Sequence, residues 1–202
     1  MTFITLEGGE GAGKSTQAAL LADALQAAGR DVLATREPGG SPGAEVLRAL
    51  LLDPRGDWAP LTETLLHFAA RADHIACTIG PALAAGTWVV SDRFYDSTMA
   101  YQGYGQLADR AAIAQLTTLI GLRPDLTLIL DVSEATARTR MIARGRSPDR
   151  YEREGAAFHE RVRAGYRAIA AAEPDRCVLV PADGAAQEVH EAIMAAVRQR
   201  LL

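Results

Sequence analysis

Apolar residues fall along this chain in short runs that alternate with helical stripes. "TFITLE" strings β-branched and aromatic residues together and runs straight into glycines, the pattern of a buried strand. From about Ser15 to Ala28 the apolar positions recur at helical spacing until Gly29 stops them. "DVLAT" reads as a second strand, closed by the loop "REPGGSPG". Helices are expected over roughly Ala44 to Leu52 and Leu61 to Ala85, and "TWVVSD" is the third strand. Helical pattern returns around Ser97 to Tyr101 and from Asp109 to Ile120. "LTLILDV" is the fourth strand and "CVLVP" the fifth, with helices before and after it. Short apolar strands separated by helices predict a parallel sheet covered on both faces. The expected fold is therefore α/β, a doubly wound five-stranded parallel sheet in one domain over 1–202. Ligands of such sheets bind beyond the carboxyl ends of the strands.

Composition narrows the classes. A net charge of −4 argues against general nucleic-acid or membrane-surface binding, so any anion site must be local. The two cysteines, Cys77 and Cys177, form no C-x-x-C and belong to no zinc-type cluster of Cys and His, which disfavours zinc and favours a reducing compartment. "MTFITLEGG" is too short in apolar residues for a signal peptide. The longest uncharged run, Ile75 to Ser91, is broken by Gly80, Pro81 and Gly86, so no membrane span is expected. A cytoplasmic protein is expected.

Of the 21 basic residues only Lys14 is a lysine. It stands in Gly8-Gly9-Glu10-Gly11-Ala12-Gly13-Lys14-Ser15, followed by Thr16, which fits G-x-x-x-x-G-K-[ST] between a strand and a helix, the context of a P-loop. Glycines permit a tight turn whose backbone N–H groups point at phosphate oxygens, and the helix start adds its positive end. Lys14 is expected to reach the β- and γ-phosphates of a nucleoside triphosphate, and Ser15 to ligate Mg²⁺. A compact ammonium fits inside that closed loop where a forked guanidinium does not, which explains the lone lysine. No register satisfies the dinucleotide fingerprint G-x-G-x-x-G. A kinase of small molecules, a GTPase switch or an ATPase acting on a macromolecule remain. The chain has no asparagine for an Asn-Lys-x-Asp guanine motif, which nearly excludes the switch.

Further stretches fall where a second substrate would lie. Phe68 and Arg71 are three apart on one helical face; spacing alone leaves open a base platform with a guanidinium donating to a base carbonyl, or plain core with a solvated charge. Thr98, Tyr101 and Gln102 share another face, either a short amphipathic helix with ordinary polar residues or a site wall where Thr98 and Gln102 supply donors and acceptors. Asp92 and Arg93 end the third strand: the acid is in the expected Mg²⁺-holding position, and the arginine can fork onto a phosphate.

Together "EGGEGAGKST", "REPGG", "LLHFAARADH", "SDRFYDSTMAYQG" and "LTLILDV" resemble the bacterial thymidylate kinases in order and over nearly the whole chain. The resemblance implies a P-loop fold with dTMP and ATP as small-molecule substrates, Mg²⁺, and a homodimer. It implies that Phe68 stacks on thymine, Arg71 meets O4, and Tyr101 stands where a 2′-hydroxyl would be. Arg93 and Arg48 would grip the acceptor phosphate, and Glu10 would bond the 3′-hydroxyl. Another nucleoside-monophosphate kinase is the alternative reading. Arginines 138, 140, 144, 146, 150 and 153 cluster around a segment, about 144–153, that is either a solvated face or a lid whose cations neutralise the transferring phosphoryl. The P-loop position that carries a basic residue in one form of the family is Gly11 here, so the lid must supply the charge, with Arg150 the first choice. Arg144 could instead stack on adenine, with Asp183 to Ala186 flanking its other side.

Overall fold

The computed structural model describes residues 2–143, 145 and 150–202. Its strands are β1 (Phe3–Gly8), β2 (Val32–Arg36), β3 (Trp88–Asp92), β4 (Leu126–Asp131) and β5 (Cys177–Pro181). They form one parallel sheet in the order β2-β3-β1-β4-β5. The helices are α1 (Lys14–Ala27), α2 (Pro42–Leu52), α3 (Pro60–His74), α4 (Gly80–Ala84), α5 (Tyr95–Thr98), α6 (Arg110–Ile120), α7 (Glu134–Ala143), α8 (Ala156–Ala172) and α9 (Ala186–Leu201).

Alternation along β1 explains why both faces are covered. Ile4 and Leu6 join Leu128, Leu130 and Val90 under α1 and α9, where Leu21, Leu25, Ile193 and Val197 close the core. Phe3 points the other way, onto Phe68, Phe94 and Ile113. Thr5 and Glu7 share that second face and are fully buried despite their polarity. Thr5 pairs its hydroxyl with that of Thr127 at 2.9 Å. The expected doubly wound five-stranded sheet is found.

Two helices differ from the expected pattern. The stretch Leu61 to Ala85 is α3, then a π-helical turn over Ile75–Ile79, then α4. Pro81 has no N–H to continue the ordinary ladder, which accounts for the widened turn before it. The second case is α5, which runs into a π-helical stretch over Met99–Gly105. That stretch carries Tyr101 and Gln102, and such widened turns recur at functional sites.

Candidate active site

β1 ends where the P-loop begins, and Gly8 makes the turn possible. At φ +140°, a Cβ there would lie 2.6 Å from the Leu130 carbonyl oxygen on β4. The loop then enters α1 at Lys14, whose ammonium curls back to donate to the carbonyls of Gly8 (3.0 Å) and Gly9 (2.8 Å). Burial, reinforced by Arg93, lowers the Lys14 pKa to about 8 against the pull of Glu10, Asp92 and Glu7. Gly11 (φ +72°) abuts α7 so closely that a Cβ would sit 2.5 Å from the Ala137 carbonyl oxygen. No larger residue fits there without moving that helix.

Register brings β3 to the loop. Leu6 faces Asp92 across the ladder, and Ser15 Oγ donates to Asp92 Oδ2 at 2.5 Å. The other oxygen, Asp92 Oδ1, is buried and has no hydrogen-bond partner among the described residues. Arg93 follows with a left-handed φ of 74° while its N–H donates to the Leu6 carbonyl at 2.9 Å. This turn sends the guanidinium back over the loop. It donates to Glu10 Oε1 (2.5 Å), Tyr101 Oη (3.2 Å) and Ser97 Oγ (3.2 Å), and lies 4.8 Å from the Tyr101 ring centre. The Tyr101 hydroxyl donates to the same Glu10 oxygen at 2.8 Å. Glu7 backs the cluster, accepting from the Phe94 N–H (2.7 Å), Ser97 Oγ (2.6 Å) and Tyr166 Oη (3.0 Å). Burial, then the nearby Asp96, raises its pKa to about 7.

A cavity of about 210 Å³ opens beside Glu10 and Arg93 and runs to Arg71, Thr98, Gln102 and Tyr151. Arg71 enters it from α3. Its Nε donates to Glu37 Oε2 (2.7 Å), and its Nη2 to the Phe94 carbonyl (3.1 Å) and Thr98 Oγ1 (3.2 Å). Glu37 also meets His74 Nδ1 at 3.1 Å. Arg71 Nη1 is buried and has no partner among the described residues. Arg48 lines the same cavity and donates to the Pro38 carbonyl at 2.6 Å.

Phe68 does not line this cavity. It is core, packed with Phe3, Ile79 and Phe94 beneath the Arg71 guanidinium, 4.8 Å from its ring centre. The aromatic wall is instead His67, one residue earlier and one full turn before Arg71. Its Nε2 lies 2.9 Å from Tyr151 Oη. That hydroxyl gives its single hydrogen to Glu63 Oε1 at 2.8 Å, so His67 must be the donor and carries its proton on Nε2. Burial and the charges of Arg71, Arg93 and Arg150 lower its pKa to about 3, so the ring is neutral.

Arg150 is engaged by α3. Its guanidinium pairs with the fully buried Glu63 at 2.7 Å and lies 6.0 Å from the Tyr151 ring centre. The sequence offered no signal that α3 buries a carboxylate facing this segment. Arg144 and Arg146 lie outside the described residues. Arg140 is used structurally, donating to the carbonyls of Ala182 (2.8 Å) and Gly184 (2.8 Å) and tying the loop before α9 to α7. A second cavity, about 420 Å³, lies there between Gly13, Thr16, Gln17, Arg140 and Ala185.

A family model described as thymidylate kinase matches residues 6–193. The thymidylate kinase of Caulobacter vibrioides is 55% identical over 202 residues, covering 98% of this chain and 97% of that protein. That of Gluconobacter oxydans is 53% identical over 203 residues, with 98% and 95% covered. The crystal structure of thymidylate kinase from Ehrlichia chaffeensis superposes with a TM-score of 0.81 at 35% identity, covering 97% of this chain and 98% of that one.

Proposed function

The chain belongs to the thymidylate kinase family, and we propose that it transfers the γ-phosphoryl of ATP to dTMP through the residues described above. The observation that carries the reading is the buried Arg71 Nη1, without a partner among the described residues, in the wall of a cavity that also reaches Arg93 and Glu10 beside the P-loop. A donor without a partner in a closed wall calls for a carbonyl, and the O4 of thymine supplies one. The base lies on His67, with Thr98 and Gln102 at its edge and the deoxyribose against Tyr101. Arg93 and Arg48 take the monophosphate, and Glu10 takes the 3′-hydroxyl.

ATP binds across the P-loop, with its phosphates under the backbone N–H groups from Gly8 to Thr16 and its adenine in the cavity near Thr16 and Arg140. Lys14 neutralises the β- and γ-phosphates. Mg²⁺ fits the donor set beside it, because Asp92 Oδ1 is an orphaned oxygen next to the Ser15 hydroxyl, and hard cations take such ligands together with phosphates. When bound, the ion neutralises charge on the phosphate chain. The acceptor phosphate oxygen attacks the γ-phosphorus in line and the bond to the β–γ bridging oxygen breaks. That acceptor is already ionised near neutral pH, so this chain supplies position and charge and needs no general base. Arg150 is held by Glu63, so the lid cation is assigned to Arg144 or Arg146.

Exposed Val46 and Leu50 on α2, with Leu61 and Leu65 on α3, form an apolar stripe suited to a second copy, while neighbouring Leu51 is core. Among the described residues no helix is long and apolar enough to cross a membrane. We read the protein as a cytoplasmic homodimer of one-domain subunits with no nucleic-acid partner. An ADP-release assay with dTMP, dUMP, UMP and dCMP tests the activity. ADP formed only with dTMP or dUMP supports it. Release without acceptor, or stimulated by macromolecules, points to a regulatory ATPase instead.

A further inference from the structure

Glu63 takes no part in the phosphate chemistry, yet it has no exposed surface and gathers four side chains. Its Oε1 accepts from Tyr151 Oη (2.8 Å), Gln102 Nε2 (2.8 Å) and Gln106 Nε2 (2.9 Å), while Oε2 faces Arg150 Nη2 at 2.7 Å. Paired with the Arg150 guanidinium, a carboxylate can only accept hydrogen bonds. An amide has donors at one end and an acceptor at the other, so Gln102 must turn its nitrogen to Glu63. Its carbonyl oxygen is then the group left for a ligand in the cavity it lines. Arg71 can only donate. One acceptor beside one donor is the complement of an N–H next to a carbonyl, the N3–O4 edge of thymine or uracil. Cytosine presents a bare nitrogen next to an amine and mismatches both.

We propose that Glu63 is a positioning residue for base discrimination: by fixing the orientation of the Gln102 amide, it makes the acceptor site take an imide edge and reject cytosine. This rests on the acceptor site assigned above. Glu63→Gln reverses the constraint. The new amide turns its carbonyl to the donor-only Arg150 and its NH₂ to Gln102, which then flips and presents Nε2 to the cavity. Arg71 still opposes cytosine, so discrimination weakens rather than inverts.

The experiment measures kcat/KM with dTMP and with dCMP for the parent, Glu63→Gln, Glu63→Asp and Glu63→Gln/Arg150→Met, each with its melting curve. In Glu63→Gln the dTMP-to-dCMP ratio should fall about tenfold to a hundredfold, the cost of one mismatched buried group. The value for dCMP itself should rise, which a merely damaged fold does not produce. Glu63→Asp remains acceptor-only and should keep the ratio. Should Glu63→Gln alone fail to fold, the double variant removes the stranded cation and frees Gln102, and its ratio should also fall. An unchanged ratio in a folded Gln variant, or dTMP and dCMP falling in parallel, overturns the inference. A parent that does not prefer dTMP to dCMP would instead overturn the acceptor-site reading.

Discussion

Arg93 holds two energies that substitution can separate. Its backbone sits at φ 74°, a left-handed conformation that costs a residue with a Cβ about 1–2 kcal/mol and costs glycine almost nothing. Its guanidinium bridges Glu10, Tyr101 and Ser97 over the P-loop. Arg93→Ala removes the guanidinium and keeps the strain; Arg93→Gly removes both. Relief of about 1 kcal/mol in a chain of this size corresponds to roughly 2–4 °C, so the glycine variant should melt that far above the alanine variant. Both should lose the acceptor phosphate equally. A guanidinium that also meets developing charge contributes about 10³–10⁵ in rate, so each should lose at least the lower end of that range in kcat/KM for dTMP. Differential scanning calorimetry and the ADP-release assay read the two effects independently. An alanine variant as stable as the glycine variant refutes the strain argument. A glycine variant with near-parent turnover refutes the role of the guanidinium.

Other perturbations separate charge from geometry elsewhere in the site. Lys14→Arg should abolish most turnover while the fold persists, and in the parent kcat/KM for ATP should fall as pH rises through about 8, where free Lys14 loses its proton; a profile flat to pH 9.5 would contradict the lowered pKa. His67→Ala should weaken dTMP by about 1–3 kcal/mol, the usual worth of a base-stacking ring, whereas Phe68→Ala should chiefly lower the melting temperature; the reverse pattern in equilibrium dTMP binding would restore Phe68 as the platform. Arg150→Ala strands the buried Glu63 carboxylate and should destabilise the protein by about 3–5 kcal/mol, while Arg146→Ala should reduce kcat at unchanged stability; equal melting temperatures for the two variants would show that the Glu63 pair carries no such weight.

The donor side of this site was legible because it is nearly contiguous. Strand, glycine turn, lysine and helix start are covalent neighbours, and the motif states their geometry before any folding. Asp92 was legible too, since an acid closing an apolar strand lands at the carboxyl edge whatever the strand order. The acceptor side is assembled from α3, the π-helical stretch Met99–Gly105 and the segment around Tyr151, and there sequence spacing is ambiguous. Relative to Arg71, residues at i−3 and i−4 both share its helical face, so Phe68 and His67 were equal candidates by period. What separates them is the other face of the contact: Phe3 on β1 and Phe94 after β3 claim Phe68 for the core, and His67 is left to the cavity. The pairing of Arg150 with Glu63 was hidden for a related reason. A basic cluster near a P-loop suggests phosphate, but the field at a guanidinium is set by its nearest buried counter-charge, and Glu63 reaches Arg150 only after α3 has packed. Gln102 shows the finest limit. Its place beside Thr98 and Tyr101 was readable from spacing, but which end of its amide faces the cavity depends on a carboxylate in another helix. In the proposed site, recognition of a base edge is thus written one step behind the residues that would touch it, in the groups that hold them.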